Sequence, residues 1–523
     1  MLRKIIQSTV HSPQSTVKDL LLCLFSAVLL ISSFPRLNIE FFAWIGFAPL
    51  FFVLKNKSKR RAFLLSYLSG IIFWSGIIYW LIHVTLPGTI LLVLYLALYF
   101  GIFGLIVSSI VYRLSSIDQL LFVPAVWVLL EYIRAHLFTG FPWALLGYSQ
   151  YLNLPIIQIA DLTGVWGVSF LVLMANTGIY KVISYKLWVM SERKRLAMPL
   201  TYLLLASLLL FSSLGYGFFR LNSSLILHPS SFNRVSVIQG NVPQELKWDS
   251  GAKGYVFDRY SRLTKEAASL SPDLILWPQA SSPGLLGEDN LVFQEIFALS
   301  KKTKTPLLIG TVARDNEKYF NSALLINPSG EIAGRYDKLH LVPFGEYIPL
   351  KKILPFLETI VPIGDITAGK EYTLFRAQSS KLKAQSKFGV LICFEDLFPQ
   401  ISREFVKSGA NFLVNITNDA WYKKTAAASQ HLQASVFRAV ENRVFLARSA
   451  NTGVSGFINP TGKIISKVKD ECGRDIFISG FDTEQLSVAN KSFTIYTRYG
   501  DFFPIACFLF ALSAIISPFK SKR

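Results

Sequence analysis

The chain has 523 residues, of which 52% are hydrophobic and 16% charged, with 53 Lys+Arg against 33 Asp+Glu and a formal net charge of +20. So few charges, against roughly 25% in ordinary soluble domains, together with 42 Phe, exclude a disordered chain and argue against a purely soluble enzyme. The length accommodates a membrane bundle plus one full domain, and the basic excess points to nucleic acid, anionic lipid or membrane topology until its placement is known.

Apolar stretches predict spans at about 19–35, 39–54, 62–84, 88–112, 119–137, 164–185 and 199–219, with an eighth at about 501–518. Each approaches the roughly 20 residues that cross a hydrocarbon core, the second being short. No clear small-residue cleavage site follows the first span, so it reads as an uncleaved signal-anchor. Basic residues recur on alternate connections: Arg3, Lys4 and Lys18; Lys55, Lys57, Lys59, Arg60 and Arg61; Arg113; Lys181, Lys186, Arg193, Lys194 and Arg195; Lys520, Lys522 and Arg523. With eight spans all fall on one side, which the positive-inside rule makes cytoplasmic, along with both termini. The net charge is thereby a topology signal, and no nucleic-acid partner is predicted. Glu131 and Arg134, near the outer end of span five, are the ionisable residues a transporter would need, and equally an i, i+3 pair. The apolar, aromatic segment 138–163 reads either as a re-entrant or packed loop or as part of a lipid-entry rim.

Residues 220–500 have a different texture and lie outside the cytoplasm by the same parity. Short β-rich runs occur at 235–237, 274–277, 307–310, 323–326, 390–394, 412–416, 452–458 and 476–479, with helix-like stretches at 255–270, 291–301 and 426–442. The turns Asn327-Pro-Ser-Gly330 and Asn459-Pro-Thr-Gly462 join strand pairs, which predicts a layered α/β domain. The predicted organisation is 1–219 membrane domain with seven transmembrane helices, 220–500 catalytic domain, and 501–523 last span with a basic tail.

Within that domain Trp277-Pro-Gln279 follows a strand, where an acid or base would project, yet Gln279 carries no proton between groups. Lys338 stands in an apolar, Gly- and Pro-containing segment with Glu346, and a partly desolvated Lys beside a thiol favours the thiolate and an oxyanion; a surface loop with routine charges is the plainer alternative. His340 reads as a structural histidine. The insertion 347–375 spaces apolar residues at near-helical intervals, suiting either a helix packed on the domain or an arm dipping into lipid. Cys393 ends an apolar strand, where a nucleophile projects from a fixed backbone and the next residue offers its N–H to an oxyanion; a buried, inert Cys has the same pattern. Count alone would allow a Cys393–Cys472 disulfide; no spacing suggests a metal. Trp421-Tyr-Lys-Lys424 offers a second amphipathic contact.

Together these segments resemble the carbon–nitrogen hydrolase (nitrilase) superfamily and, with the spans, its membrane branch, the apolipoprotein N-acyltransferases. The resemblance runs over essentially the whole chain, through Gly140-Phe-Pro-Trp143, Gln239-Gly-Asn-Val-Pro-Gln244, Lys247-Trp-Asp249, Lys338 to Glu346, Ile392-Cys-Phe-Glu395, Asn418-Asp-Ala-Trp421, Gln430-His431, Arg438-Ala-Val-Glu441 and Ser449-Ala-Asn-Thr-Gly453.

The resemblance implies a multi-span helical bundle carrying a nitrilase-like, four-layer αββα domain in a bacterial inner membrane, with the domain periplasmic. It implies Cys393 as nucleophile, Lys338 as triad lysine, Glu346 and Glu395 as further functional carboxylates, and Phe394 as backbone oxyanion donor. It further implies Trp248, Trp421 and His431 as substrate-binding residues, and no cofactor. The acyl donor would be a membrane phospholipid and the acceptor the amine of a diacylglyceryl apolipoprotein. Gln279 departs from the pattern, standing where the family has its catalytic Glu. Three readings stand side by side: Glu346 takes over proton transfer, the chain is an impaired lipid or lipoprotein binder, or the Gln is an isosteric replacement of a parent Glu. A tethered amidase is a further competitor.

Overall fold

The computed structural model describes residues 13–111, 114, 116–192, 200–223, 231–247, 249–348, 366–378, 385–488 and 493–516. The chain forms two compact units, one from 1–219 with 501–523 and the other from 220–500.

In the first unit, helices stand at each predicted span: α1 (Pro13–Ser32), α2 (Ala48–Leu54), α3 (Lys59–Ile77), α4 (Leu86–Ile110), α5 (Ser116–His136), α6 (Val165–Glu192), α7 (Leu200–Ser223) and, from the C-terminal segment, Phe502–Ile516. Among the described residues three are long and apolar enough to cross a membrane, within α4, α6 and α7. The expected eight is therefore not established, for physical reasons: α1 carries Lys18 and Asp19, α3 begins Lys-Arg-Arg, α5 contains Asp118, Glu131 and Arg134, and α2 is split from the 3-10 turn Glu40–Trp44. The starts of α3 and α4 are chemically marked, as Ser58 accepts from the Arg61 N–H and Thr85 from the Gly88 N–H. At the α3–α4 contact a Cβ on Gly104 would come 2.8 Å from the Ala62 carbonyl, so only glycine lets the two backbones approach.

Glu131 and Arg134 hold the loop that follows them. The Arg134 guanidinium donates to the carbonyls of Phe141 (2.6 Å) and Trp143 (2.8 Å) and lies 4.8 Å from the Trp74 ring, while Glu131 accepts from the Leu146 N–H at 2.6 Å. Residues Trp143 to Gln150 are buried while Phe138 is exposed, so the loop is packed over 143–150. Charges neutralised by backbone this way are structural, and favour no transport role.

The second unit is built on two sheets. One joins β1 (Ser231–Gln239), β2 (Leu274–Leu276), β3 (Leu285–Leu286), β4 (Leu307–Asp315), β5 (Lys318–Ile326), β6 (Ile332–Asp337) and β13 (Gly480–Val488), in the order β13-β1-β2-β4-β5-β6 with β3 beside β4. The other joins β7 (Phe375–Gln378), β8 (Gln385–Ile392), β9 (Phe412–Thr417), β10 (Phe445–Ala450), β11 (Gly456–Ile458) and β12 (Ile464–Lys467), in the order β12-β11-β10-β9-β8-β7. Strands β8, β9 and β10 are parallel, and Phe388–Ile392 of β8 and most of β9 read as apolar runs, as strands covered on both faces do. The Ser449 hydroxyl in β10 donates to the Ile238 and Leu276 carbonyls of the facing sheet (2.8 and 3.1 Å). Helices α8 (Lys253–Ala268) and α9 (Asn290–Thr303) pack Val256, Tyr260, Leu263, Phe293 and Ile296 on the first sheet, while α10 (Pro399–Lys407) and α11 (Ala427–Asn442) cover the second. The result is the nitrilase-like α/β arrangement of two sheets between helix layers. Both predicted turns form, with Asn327 and Asn459 side chains accepting backbone N–H bonds across them. The strand expected at 476–479 begins at Gly480 instead, and that expected at 452–458 is confined to Gly456–Ile458.

Candidate active site

Parallel α/β sheets gather function at the carboxyl ends of their strands. Here β1 leads to Lys247, β2 to Gln279, β8 to Cys393, and β9 to Asp419 and Tyr422, while Lys338 directly follows β6. Cys393 sits just past β8, buried, with a left-handed backbone (φ 53°). That conformation is costly for a non-glycine residue, on the order of 1–3 kcal/mol, and marks a position held for function by its surroundings. The Cys393 carbonyl accepts from the Asn415 side-chain amide at 3.3 Å, which pins the turn from below. All four cysteines are free thiols, Cys393 buried and Cys472 exposed.

Lys338 is fully buried and its ammonium donates to both oxygens of Glu346, at 2.9 and 2.8 Å. Glu346 also accepts from Asn321 Nδ2 (2.6 Å) and the Val342 N–H (2.8 Å), so its oxygens are occupied by donors. Burial works to lower the Lys338 pKa, but the charges of Glu346 and Cys393 outweigh it and the net shift is upward. Lys338 is therefore a held cation.

Glu395 is a clamp rather than an open carboxylate. Its Oε1 accepts from Tyr336 OH (2.9 Å) and from the N–H groups of Leu339 (2.7 Å) and His340 (3.1 Å), and its Oε2 from the Ile392 N–H (2.7 Å). One side chain thus ties the end of β8, before Cys393, to the segment around Lys338. Burial pushes its pKa up to about 7 against the pull of those donors and of Lys338. Phe394 is buried, its ring near His340 and Phe398.

His431, implied as substrate-binding, is 1% exposed and lies within an ion cluster. Its Nδ1 meets Asp419 at 3.0 Å and its Nε2 meets Asp396 at 2.8 Å and the Cys393 carbonyl at 3.3 Å, while Arg448 donates to both aspartates. Burial opposes the charge, but the two aspartates prevail and raise the His431 pKa to about 10. It is a buried cation beside the Cys393 backbone. Trp421 is exposed in the 3-10 turn Asp419–Tyr422. Trp248 and most of the 347–375 insertion lie outside the described residues.

Gln279 is placed by its neighbours. Trp277 donates to Thr264 Oγ1 (2.9 Å) and stacks on Tyr260 with centroids 4.8 Å apart. A Cβ on Gly310 would lie 2.5 Å from Gln279 Cα, so glycine in β4 lets the 278–282 segment lie against the strand. Two residues enter that the sequence reading did not single out for chemistry. Lys247 is buried and its ammonium donates to the Gln279 carbonyl at 3.1 Å. Tyr422 has its pKa raised by burial and then by the charges of Cys393, Asp419 and Glu346, which puts its phenol at the same site. Lys247 stands in the quoted Lys-Trp-Asp motif; burial was the missing signal, and an isolated Lys in a polar loop does not announce it.

The chain matches a family model described as Apolipoprotein N-acyltransferase N-terminal domain over residues 26–178, and one described as Carbon-nitrogen hydrolase over residues 234–490. It is 39% identical to the apolipoprotein N-acyltransferase of Geobacter metallireducens, over 97% of this chain and 96% of that one. It is 32% identical to that of Methylococcus capsulatus, over 86% of this chain and 88% of that one. It is 29% identical to apolipoprotein N-acyltransferase 2 of Treponema denticola, over 91% of this chain and 92% of that one.

Proposed function

The chain belongs to the apolipoprotein N-acyltransferase family, and from that premise we propose that it moves an acyl chain from a membrane phospholipid, through a thioester on Cys393, to the N-terminal amine of an S-diacylglyceryl-cysteine lipoprotein. The observation that carries the reading is the strained Cys393 backbone at a strand end, together with the buried cation Lys338, held by Glu346 and raised in pKa in part by the Cys393 charge. In the first half-reaction Cys393 attacks the ester at the glycerol sn-1 position, and Lys338 with the Phe394 N–H balances the oxyanion. The tetrahedral adduct expels lysophospholipid and leaves the thioester. In the second half the lipoprotein amine attacks the thioester, and the N-acylated product departs with Cys393 restored. Dividing one transfer into two gives ping-pong kinetics.

Glu346 and Glu395 are positioning residues in this scheme. Trp248, the exposed Trp421 and His431 are proposed substrate-binding residues, and the insertion 347–375 is proposed as an arm into lipid. The bundle is proposed to cross the inner membrane of a bacterium about eight times, with both termini cytoplasmic and 220–500 periplasmic, so that the site meets outer-leaflet lipid. Gln279 favours a second reading, an impaired homologue that binds lipid or lipoprotein without acyl transfer. Peptide mass measurement after incubation with phospholipid vesicles separates the two. An acyl mass on Cys393, absent in Cys393→Ala, supports the enzyme. No adduct here but one in Gln279→Glu supports the impaired homologue, and none in either sinks the acyl-transfer reading.

A further inference from the structure

A nucleophilic thiol needs a proton acceptor, and the position where the family carries a carboxylate holds an amide in Gln279. Glu346 is occupied by Lys338, Asn321 and the Val342 N–H, and Glu395 by four donors. His431 lies beneath the backbone of Cys393, between two aspartates. Among the described residues each of these already serves bonds that hold the site together.

Lys247 differs from all of them. It is 5% exposed, and among the described residues its ammonium has one bond, to the neutral carbonyl of Gln279. No carboxylate pairs with it, although Glu245 and Asp249 flank it in sequence, and Gln279 supplies no counter-charge. Lys338, by contrast, is locked to Glu346. A buried amine without a counter-ion is driven toward its neutral form, which carries a basic lone pair. Among the described residues Cys393 is the ionisable group whose charge bears on Lys247; burial, the larger effect, takes the lysine's pKa down to about 7 and that charge works the other way. The other groups around the thiol are the cation Lys338 and the phenol of Tyr422.

We propose that Lys247 is the proton-transfer residue of this chain, taking over at Gln279 the work the family gives to a glutamate. This rests on the acyl-transfer reading above. Neutral Lys247 takes the S–H proton as the Cys393 sulfur bonds to the ester carbon. The resulting ammonium returns that proton to the glyceryl oxygen as the C–O bond breaks, leaving lysophospholipid, the thioester and a neutral amine. In the second half the incoming ammonium-derived amine attacks as its free base and passes a proton to Lys247. The C–S bond breaks, the thiolate recovers the proton, and the amide is released.

The test compares the chain with Lys247→Met, Gln279→Glu and the double variant, by single-turnover acylation of Cys393 from detergent-solubilised phosphatidylethanolamine between pH 5.5 and 9. The unaltered chain should show a rate rising with pH through about 7. Lys247→Met should lose that limb and slow by about 10²- to 10⁴-fold, the usual worth of a general base. Gln279→Glu in the Met background should restore the rate to within about tenfold and move the limb into the carboxylate range; that rescue is something a merely structural lysine would not show, and it reports that the variant folds. Unchanged acylation in Lys247→Met, or no rescue in the double variant while Gln279→Glu alone is active, overturns the proposal. If none of the four acylates, the acyl-transfer reading falls and takes this one with it; acylation in the unaltered chain keeps that reading whatever Lys247 does.

Discussion

His431 illustrates how a residue's motif and its environment diverge. Its sequence context suggested substrate contact, yet both ring nitrogens face aspartates and the charge is needed inside. Its folded pKa of about 10 lies above the unfolded value near 6.5. Folding therefore gains stability that is fully present below about pH 6.5 and is lost as pH rises toward 10. Thermal melts of the detergent-solubilised chain should fall across that window, by about 2–4 °C for each kcal/mol of linkage. His431→Gln should melt lower at pH 6.5 and be flatter with pH; an equal slope in both proteins would remove the linkage. Glu395 yields a sharper case. Replacing it by Gln turns an N–H2 group toward one of four donors that now meet a carboxylate. A disrupted buried bond costs about 1–3 kcal/mol, so single-turnover acylation in Glu395→Gln should drop about 10- to 100-fold. A variant acylating at the parent rate would show that the clamp does not position Cys393. Cys393, Lys338 and Glu346 came forward through the motifs around them, since residue type alone left an inert thiol and a routine surface loop open; the fold pairs Lys338 with Glu346. Lys247 did not come forward, because burial and the absence of a counter-ion are properties of the fold.

At the scale of elements, apolar runs revealed the central strands and left the edges obscure. Strands β4, β5, β8 and β9 carry buried runs and were found; β13 alternates Asp482, Thr483, Glu484 and Gln485 and shows no such run. β10 was missed because Arg448, which serves the buried aspartates, interrupts it. The loop after β1 was recognised as a motif with no hint of what holds it. Asn451 does so, accepting from the Val242 N–H (2.9 Å), donating to the Val242 carbonyl (2.7 Å) and to Asn418 Oδ1 (3.1 Å). That loop carries Lys247, so Asn451→Leu should destabilise the second unit by about 2 kcal/mol through unmet backbone groups and weaken acylation together with it. Gly310→Ala tests the opposite wall. The added methyl would press on Gln279 Cα and the Pro278 carbonyl, 2.5 and 2.4 Å away. Acylation should fall at least tenfold while Ala323 and Leu324 on the next strand keep their packing. A full-rate Gly310→Ala protein would mean that the 278–282 segment tolerates displacement.

For the whole molecule the charge arithmetic and the bundle meet in one question, which side of the membrane each unit faces. The basic stretch 55–61 covers the connection from α2 to α3 and the first turn of α3, and Lys55 is exposed. Cys472 is exposed in the second unit, whereas Cys23, Cys393 and Cys507 are buried. Arg113, Arg193 to Arg195 and the basic tail lie outside the described residues, so the proposed orientation rests on the sequence there. The positive-inside rule puts 55–61 in the cytoplasm, and an odd number of spans between it and residue 220 puts Cys472 on the other side. A membrane-impermeant maleimide applied to cells with a permeabilised outer membrane should therefore label Cys472 in a Cys393→Ala background. A Lys55→Cys, Cys472→Ser chain in the same background should label only after the inner membrane is opened. Labelling of both from one side would break the parity, require an even number of crossings between them, and detach the acyl-transfer site from the outer leaflet that the proposed lipid substrates occupy.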